Sequence, residues 1–199
     1  MKGKFKLIDL LFCFLLGLVL GVLAKFLDTI AVDGTFFANV LHYFAQLFTR
    51  LGIWVLLATL ISVYSKTMFR AAMNTFLFFI GMLISYYIYS AILFGFFPTS
   101  YFIFWGSIAL VSPILATMVW QGKHHENLSM ILPALPIGLM LSLSLGMGLF
   151  YIDMHDMEEF LMCIILVMIF YKNWKQMGCV VLMSVIIAIF LELFSPYQF

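Results

Sequence analysis

Residues 71–122 read AAMNTFLFFIGMLISYYIYSAILFGFFPTSYFIFWGSIALVSPILATMVWQG and contain no charged side chain. A helix needs about 20 mostly apolar residues to cross a bilayer, so this run is far too long for one span. Gly95 and Pro98 interrupt it, because proline disfavours a helical conformation in the preceding residue and glycine loosens the backbone. The run therefore predicts two membrane spans, at about 71–94 and 100–120.

The chain as a whole is also strongly apolar. Its 199 residues are 65% hydrophobic and 10% charged, whereas a soluble domain is about 45–50% apolar and about 25% charged. These values exclude a water-soluble domain, and the high apolar content excludes a disordered chain. The net charge of +1, without a basic patch, excludes a nucleic-acid-binding protein. We therefore expect a single transmembrane domain over 1–199, whose principal partner is the lipid bilayer.

Five further apolar segments complete the prediction, at about 8–27, 51–65, 130–151, 156–172 and 177–194. Basic residues favour the cytoplasmic ends of spans. With a cytoplasmic N-terminus, eight of the ten basic residues lie inside: Lys2, Lys4, Lys6, Lys66, Arg70, Lys123, Lys172 and Lys175. Most acidic residues then lie outside: Asp28, Asp33, Asp153, Asp156, Glu158, Glu159 and Glu192. The sequence predicts an all-α, seven-span helical bundle with its C-terminus outside.

Residues 35–49 differ from the spans, because polar side chains separate their apolar ones at helical spacing. This pattern is typical of an amphipathic helix that lies in the membrane interface, here the outer one. The simpler alternative is a segment that leads directly into the span at 51–65.

Small residues recur every four positions in two predicted spans, where they permit close helix packing. The first span contains Gly17 and Gly21, and the span at 130–151 contains Gly138, Ser142 and Gly146. These residues are candidates for packing within the chain. The alternative is a docking face for another membrane protein or for a second copy of this chain.

Charged side chains near the outer ends of the predicted spans are candidates for a binding site, because charge at membrane depth is costly and commonly functional. The third span adds an amide and hydroxyls, which suit a mostly apolar solute pocket with a few polar groups. The candidate solute-binding residues are Lys25, Asp28, Arg50, Asn74, Tyr86, Tyr89 and Glu192. The alternatives are an ion pair that locks helix ends, with Glu192 pairing Arg50 or Lys25, and an interfacial aromatic belt.

Residue types that bind metals occur in two loops, at 124–126 and 153–159. The predicted topology places these loops on opposite sides of the membrane, and the second is interpreted as a solvated outer turn. The sequence also lacks the HExxH, GxSxG and CxxC motifs. We therefore predict no enzymatic activity, no metal site and no cofactor.

One stretch resembles a known family. The segment Tyr86-Tyr-Ile-Tyr-Ser90, followed by Phe94-Gly-Phe-Phe-Pro98, Tyr101 and Trp105, is similar to a family of small bacterial integral membrane proteins described only as a domain of unknown function. The likeness covers roughly residues 50–120. It implies a multi-pass protein of the bacterial plasma membrane and transfers no activity and no functional residue.

These observations predict a protein that binds or transports a small solute through an outward-facing polar cavity. The alternative is a non-transporting accessory, assembly or immunity-type protein that acts through helix contacts with a partner.

Overall fold

A computed structural model describes residues 7–30, 34–95, 97–147 and 152–194. The described chain is helical apart from one short hairpin. Its helices are α1 (Leu7–Asp28), α2 (Phe36–Thr49), α3 (Leu51–Val63), α4 (Met68–Phe94), α5 (Thr99–His124), α6 (Ala134–Ser144), α7 (Met157–Phe170) and α8 (Trp174–Phe194), with a 3-10 turn at Leu128–Met130. The hairpin pairs β1 (Leu145–Met147) with β2 (Ile152–Met154). Four residues used to predict the orientation lie outside the described residues: Lys2, Lys4, Lys6 and Asp33.

Four described helices are long and apolar enough to cross a membrane, namely α1, α4, α5 and α8. The helices α2 and α3 also reach this length when taken together, but the chain bends by 65° between them. The prediction of a helical protein with several membrane spans is therefore confirmed, with four or five candidate spans by length and composition.

The helix predicted over 35–49 is present as α2. Thr35 begins it, because its side-chain oxygen accepts a hydrogen bond from the backbone N–H of Ala38 at 3.3 Å. Several large apolar side chains of α2 are exposed, with Phe36 at 85% and Phe37 at 70%. An exposed apolar face of this kind fits a helix whose surroundings include lipid.

The chain divides into two compact units, and the first comprises Met1–Arg50 and Leu60–Thr117. Its main contact is between α1 and α4, where glycines let the two backbones touch. A Cβ atom added at Gly17 would overlap the carbonyl oxygen of Phe78, and one added at Gly81 would overlap that of Phe14. Gly21 lies equally close to Met82. The glycines of the first predicted span therefore pack within the chain.

The helices α1 and α4 run parallel to each other. Their contacts rise together in residue number, from Asp9 with Arg70 near one end to Asp28 with Tyr86 near the other. Two parallel helices of one chain require the intervening segment to return to the starting end, and α2 and α3 form that segment.

The second unit comprises Leu51–Thr59 and Met118–Phe199, and its main contact is between α6 and α8. Gly138 packs against Ser184 and Ile187 of α8. Ser184 also donates a hydrogen bond to the carbonyl oxygen of Ala134 at 3.4 Å. These contacts again rise together in residue number, so α6 and α8 are parallel and α7 returns between them.

The helix predicted over 130–151 needs correction. In the structure α6 covers only 11 residues and ends at Ser144, a length of about 16 Å. The next residues form β1, in which Gly146 pairs with Asp153. Gly146 therefore does not continue the row of small residues that contains Gly138 and Ser142. Gly146 lies two residues after the end of α6, and glycine disfavours the continuation of a helix by about 1 kcal/mol relative to alanine.

Candidate functional site

The best-defined polar site in the first unit lies where α1 ends beside α4. Lys25 and Asp28 lie one turn apart on α1, and their charged groups are 3.8 Å apart. The Tyr86 hydroxyl of α4 donates a hydrogen bond to the Asp28 carboxylate at 2.5 Å. We call these three residues the Lys25–Asp28–Tyr86 cluster.

Two aromatic rings lie close to the Lys25 ammonium. Its nitrogen lies 5.0 Å from the ring centroid of Tyr86 and 4.8 Å from that of Phe94. Both distances fall within the range of a cation–π interaction. Lys25 is only 8% exposed, so a carboxylate and two ring faces have replaced most of the water around this charge.

The glycine contacts between α1 and α4 position this cluster. Gly21 lies against Met82 and the Ser85 side chain, one turn before Lys25 on α1. Because the two helices are parallel, the next turns of α1 lie beside the segment of α4 that contains Tyr86. A bulkier residue at position 21 would separate the backbones and move Asp28 away from Tyr86.

Three of the seven predicted solute-binding residues are therefore brought together: Lys25, Asp28 and Tyr86. Tyr89 lies one turn further along α4 and is half-buried. Arg50 is half-buried at the junction of α2 and α3. Glu192 is half-buried near the end of α8, and its pairing with Arg50 or Lys25 stays a prediction.

Asn74 does not belong to this cluster. It lies twelve residues before Tyr86 on α4, about 18 Å away along the helix axis. Its amide donates to the Ser65 hydroxyl at 3.1 Å. The nearby ion pair of Arg70 with Asp9, at 3.0 Å, joins α4 to α1 at this opposite end.

Three buried polar atoms of α4 find no hydrogen-bond partner among the described residues: Asn74 Oδ1, Thr75 Oγ1 and the Tyr87 hydroxyl. Tyr87 is 3% exposed and follows Tyr86 directly, with the two rings 5.1 Å apart. Buried polar atoms are rarely left unpaired in proteins. One of the three atoms, the Tyr87 hydroxyl, thus lies on the residue that follows Tyr86 of the Lys25–Asp28–Tyr86 cluster.

The acidic segment at 153–159 was predicted as a solvated turn, and its first residues are exposed, but Glu159 in the first turn of α7 is not. Glu159 is 1% exposed, and Gly52 makes room for its side chain. Oxygen atoms of Asp156, Glu158 and Glu159 lie within 4.8 Å of one another. The sequence held a signal for this burial, because Glu159 shares one face of α7 with apolar positions that are also buried: Cys163, Leu166 and Phe170.

Phe94 was not predicted as part of the site. Its position at the end of an apolar helix is typical of any membrane span, so nothing in the sequence distinguishes it from its apolar neighbours.

Comparison with known proteins gives no relative from which a function could be transferred. No protein-family model, no curated protein and no solved structure matches the chain.

Proposed function

We propose that the chain is an integral membrane protein that binds or transports a small solute at the Lys25–Asp28–Tyr86 cluster. The observation that supports this function is a buried ammonium and a carboxylate placed where two apolar helices meet. Removing charges from water costs several kcal/mol per ion in a protein interior. Ionisable groups kept at such positions in membrane proteins commonly mark a site for a substrate or an ion.

The parallel helix pairs support seven spans. If α1 and α4 both cross the bilayer in the same direction, the chain between them crosses an odd number of times, which favours one crossing by α2 and α3 over a re-entrant loop. The helix α6 is shorter than the hydrocarbon core, so its crossing requires a locally thinned bilayer. If α6 and α8 then cross in the same direction, the same reasoning makes α7 a crossing. With α5, this gives seven crossings.

The distribution of basic residues supports a cytoplasmic N-terminus. The end of α4 that carries Arg70 then lies inside, and the Lys25–Asp28–Tyr86 cluster lies at the outer face. In this orientation α2 follows the outer end of α1 and forms the outer part of the crossing made by α2 and α3. We further propose the bacterial plasma membrane as the location, which rests only on the resemblance predicted for residues 50–120.

The alternative of an accessory protein that docks through Gly17 and Gly21 is less favoured. Both glycines already contact the backbone of α4, so a partner would need a different surface.

Asp28→Asn tests the function, with Asp9→Asn as its matched control. Each variant removes one α1 carboxylate that contacts α4, but only Asp28 belongs to the cluster. We expect a screen of amino acids, vitamins, osmolytes and inorganic ions to contain a solute that raises the Tm of the wild type and of Asp9→Asn in maltoside detergent. At 100 times its Kd, such a solute stabilises the folded state by about 2.7 kcal/mol.

The same solute should leave the Tm of Asp28→Asn unchanged. A solute that stabilises all three proteins equally would place binding away from the cluster and would contradict the proposal.

A further inference from the structure

We propose that the Lys25–Asp28–Tyr86 cluster, together with Phe94, is a cage for an organic ammonium ion, which Lys25 occupies when no solute is bound. The inference rests on the proposed function and names the chemical class of the solute. In this arrangement Lys25 is a tethered occupant of the site, and a solute binds by displacing it.

The geometry around the Lys25 nitrogen is that of an ammonium-binding cage. The ring centroids of Tyr86 and Phe94 lie at 5.0 and 4.8 Å from this nitrogen, and the Asp28 carboxylate lies at 3.8 Å. Aromatic rings with a nearby anion are a common way for proteins to bind alkylated ammonium groups, because the negative ring face attracts the cation without hydrogen bonds. The Tyr86 hydroxyl, bonded to Asp28, holds the carboxylate in place.

The charges of the cluster favour a cation over an anion. Lys25 is already paired with Asp28, so its ammonium is not presented to an incoming anion. When this ammonium moves away, a carboxylate and two ring faces remain around the vacated space. All three attract a positive group and repel a negative one.

Lys25 is placed so that it can leave. It lies in the last turn of α1, and a lysine near a helix end can extend its flexible chain toward the interface. Phe94 is the last residue of α4, is 52% exposed, and precedes Gly95, whose φ of 68° ends the helix. One wall of the cage therefore faces the surroundings of the protein and gives a solute a route to the site.

Lys25→Ala tests the cage by emptying it, with tetramethylammonium chloride as the probe and sodium chloride as the control for ionic strength. In maltoside detergent, tetramethylammonium should raise the Tm of Lys25→Ala, and sodium should not. The affinity should exceed that of the wild type at least about tenfold, since no internal ammonium competes. Adding Phe94→Leu or Asp28→Asn to Lys25→Ala should weaken binding by about tenfold, a typical effect for one cation–π or ionic contact.

A second measurement uses the wild type. Displacement should expose the Lys25 amine, so tetramethylammonium should raise its rate of acetylation several-fold, measured by peptide mass spectrometry. Lys123, in the second unit, serves as the internal control and should not respond.

Folded Lys25→Ala that binds tetramethylammonium no better than the wild type would overturn the inference, as would affinity that Phe94→Leu leaves unchanged. If Lys25→Ala does not fold, Lys25→Met keeps the apolar stem and takes its place. Suppose that this test fails, but that another solute still stabilises the wild type and not Asp28→Asn. This result would reject the cation class and leave the proposed function standing. A different outcome would reject the proposed function alone. In that outcome tetramethylammonium binds Lys25→Ala, but every solute that stabilises the wild type stabilises Asp28→Asn equally.

Discussion

Gly17→Ala is expected to abolish the packing of α1 against α4 and to leave little folded protein. The added Cβ would overlap the carbonyl oxygen of Phe78 and would lie 2.9 Å from its carbonyl carbon. These are backbone atoms within a helix, so no side-chain rotation relieves the overlap. We expect a loss of at least about 3 kcal/mol in the free energy of unfolding, the upper range for overpacking. Thermal unfolding in detergent and size-exclusion chromatography measure it.

Gly106→Ala is the matched control, because a Cβ at Gly106 of α5 meets no heavy atom within 4 Å among the described residues. Alanine favours a helix over glycine by about 1 kcal/mol, so this variant should be as stable as the wild type or more so. Equal stability of the Gly17→Ala and Gly106→Ala variants would mean that α1 and α4 do not touch at Gly17.

Gly138→Ala is expected to destabilise the second unit by about 1–3 kcal/mol, the usual cost of overpacking a tight contact. Its Cβ would lie 2.9 Å from the Ser184 carbonyl oxygen and 2.9 Å from Cβ of Ile187. Neither atom lies at the flexible end of a side chain, so α6 and α8 must move apart. The cost is smaller than at Gly17 because the overlap is smaller. The change in Tm measures it.

Gly178→Ala on α8 provides the comparison, since a Cβ there meets no described heavy atom within 4 Å. A Tm for Gly138→Ala at or above that of Gly178→Ala would show that α6 and α8 are farther apart than described.

Most helix positions could be predicted because charged and turn-forming residues separate the apolar runs. The spans predicted at 8–27 and 71–94 correspond to α1 and α4 within a few residues. Within an apolar run, composition alone does not distinguish a helix from a strand. For this reason the segment after Ser144 was predicted as helix although it forms β1.

Only part of the candidate site could be predicted, because the sequence does not give the register between helices. Lys25 and Asp28 are a local pair that helical spacing identifies. To predict that Tyr86 contacts this pair and that Asn74 does not, one must know which residues of α1 lie beside which residues of α4. The glycine contacts determine this register. Phe94 and the burial of Glu159 likewise depend on neighbours that are distant in sequence.

The measurement that tests the proposed site most directly is mass spectrometry of everything that co-purifies with the protein from the membranes of cells that express it. We expect the wild type to carry one small solute at close to one molecule per chain, and Asp28→Asn purified in the same way to carry none. A wild type that retains no small molecule, and that instead brings a second membrane protein in equal amount, would contradict the solute site and favour the accessory function.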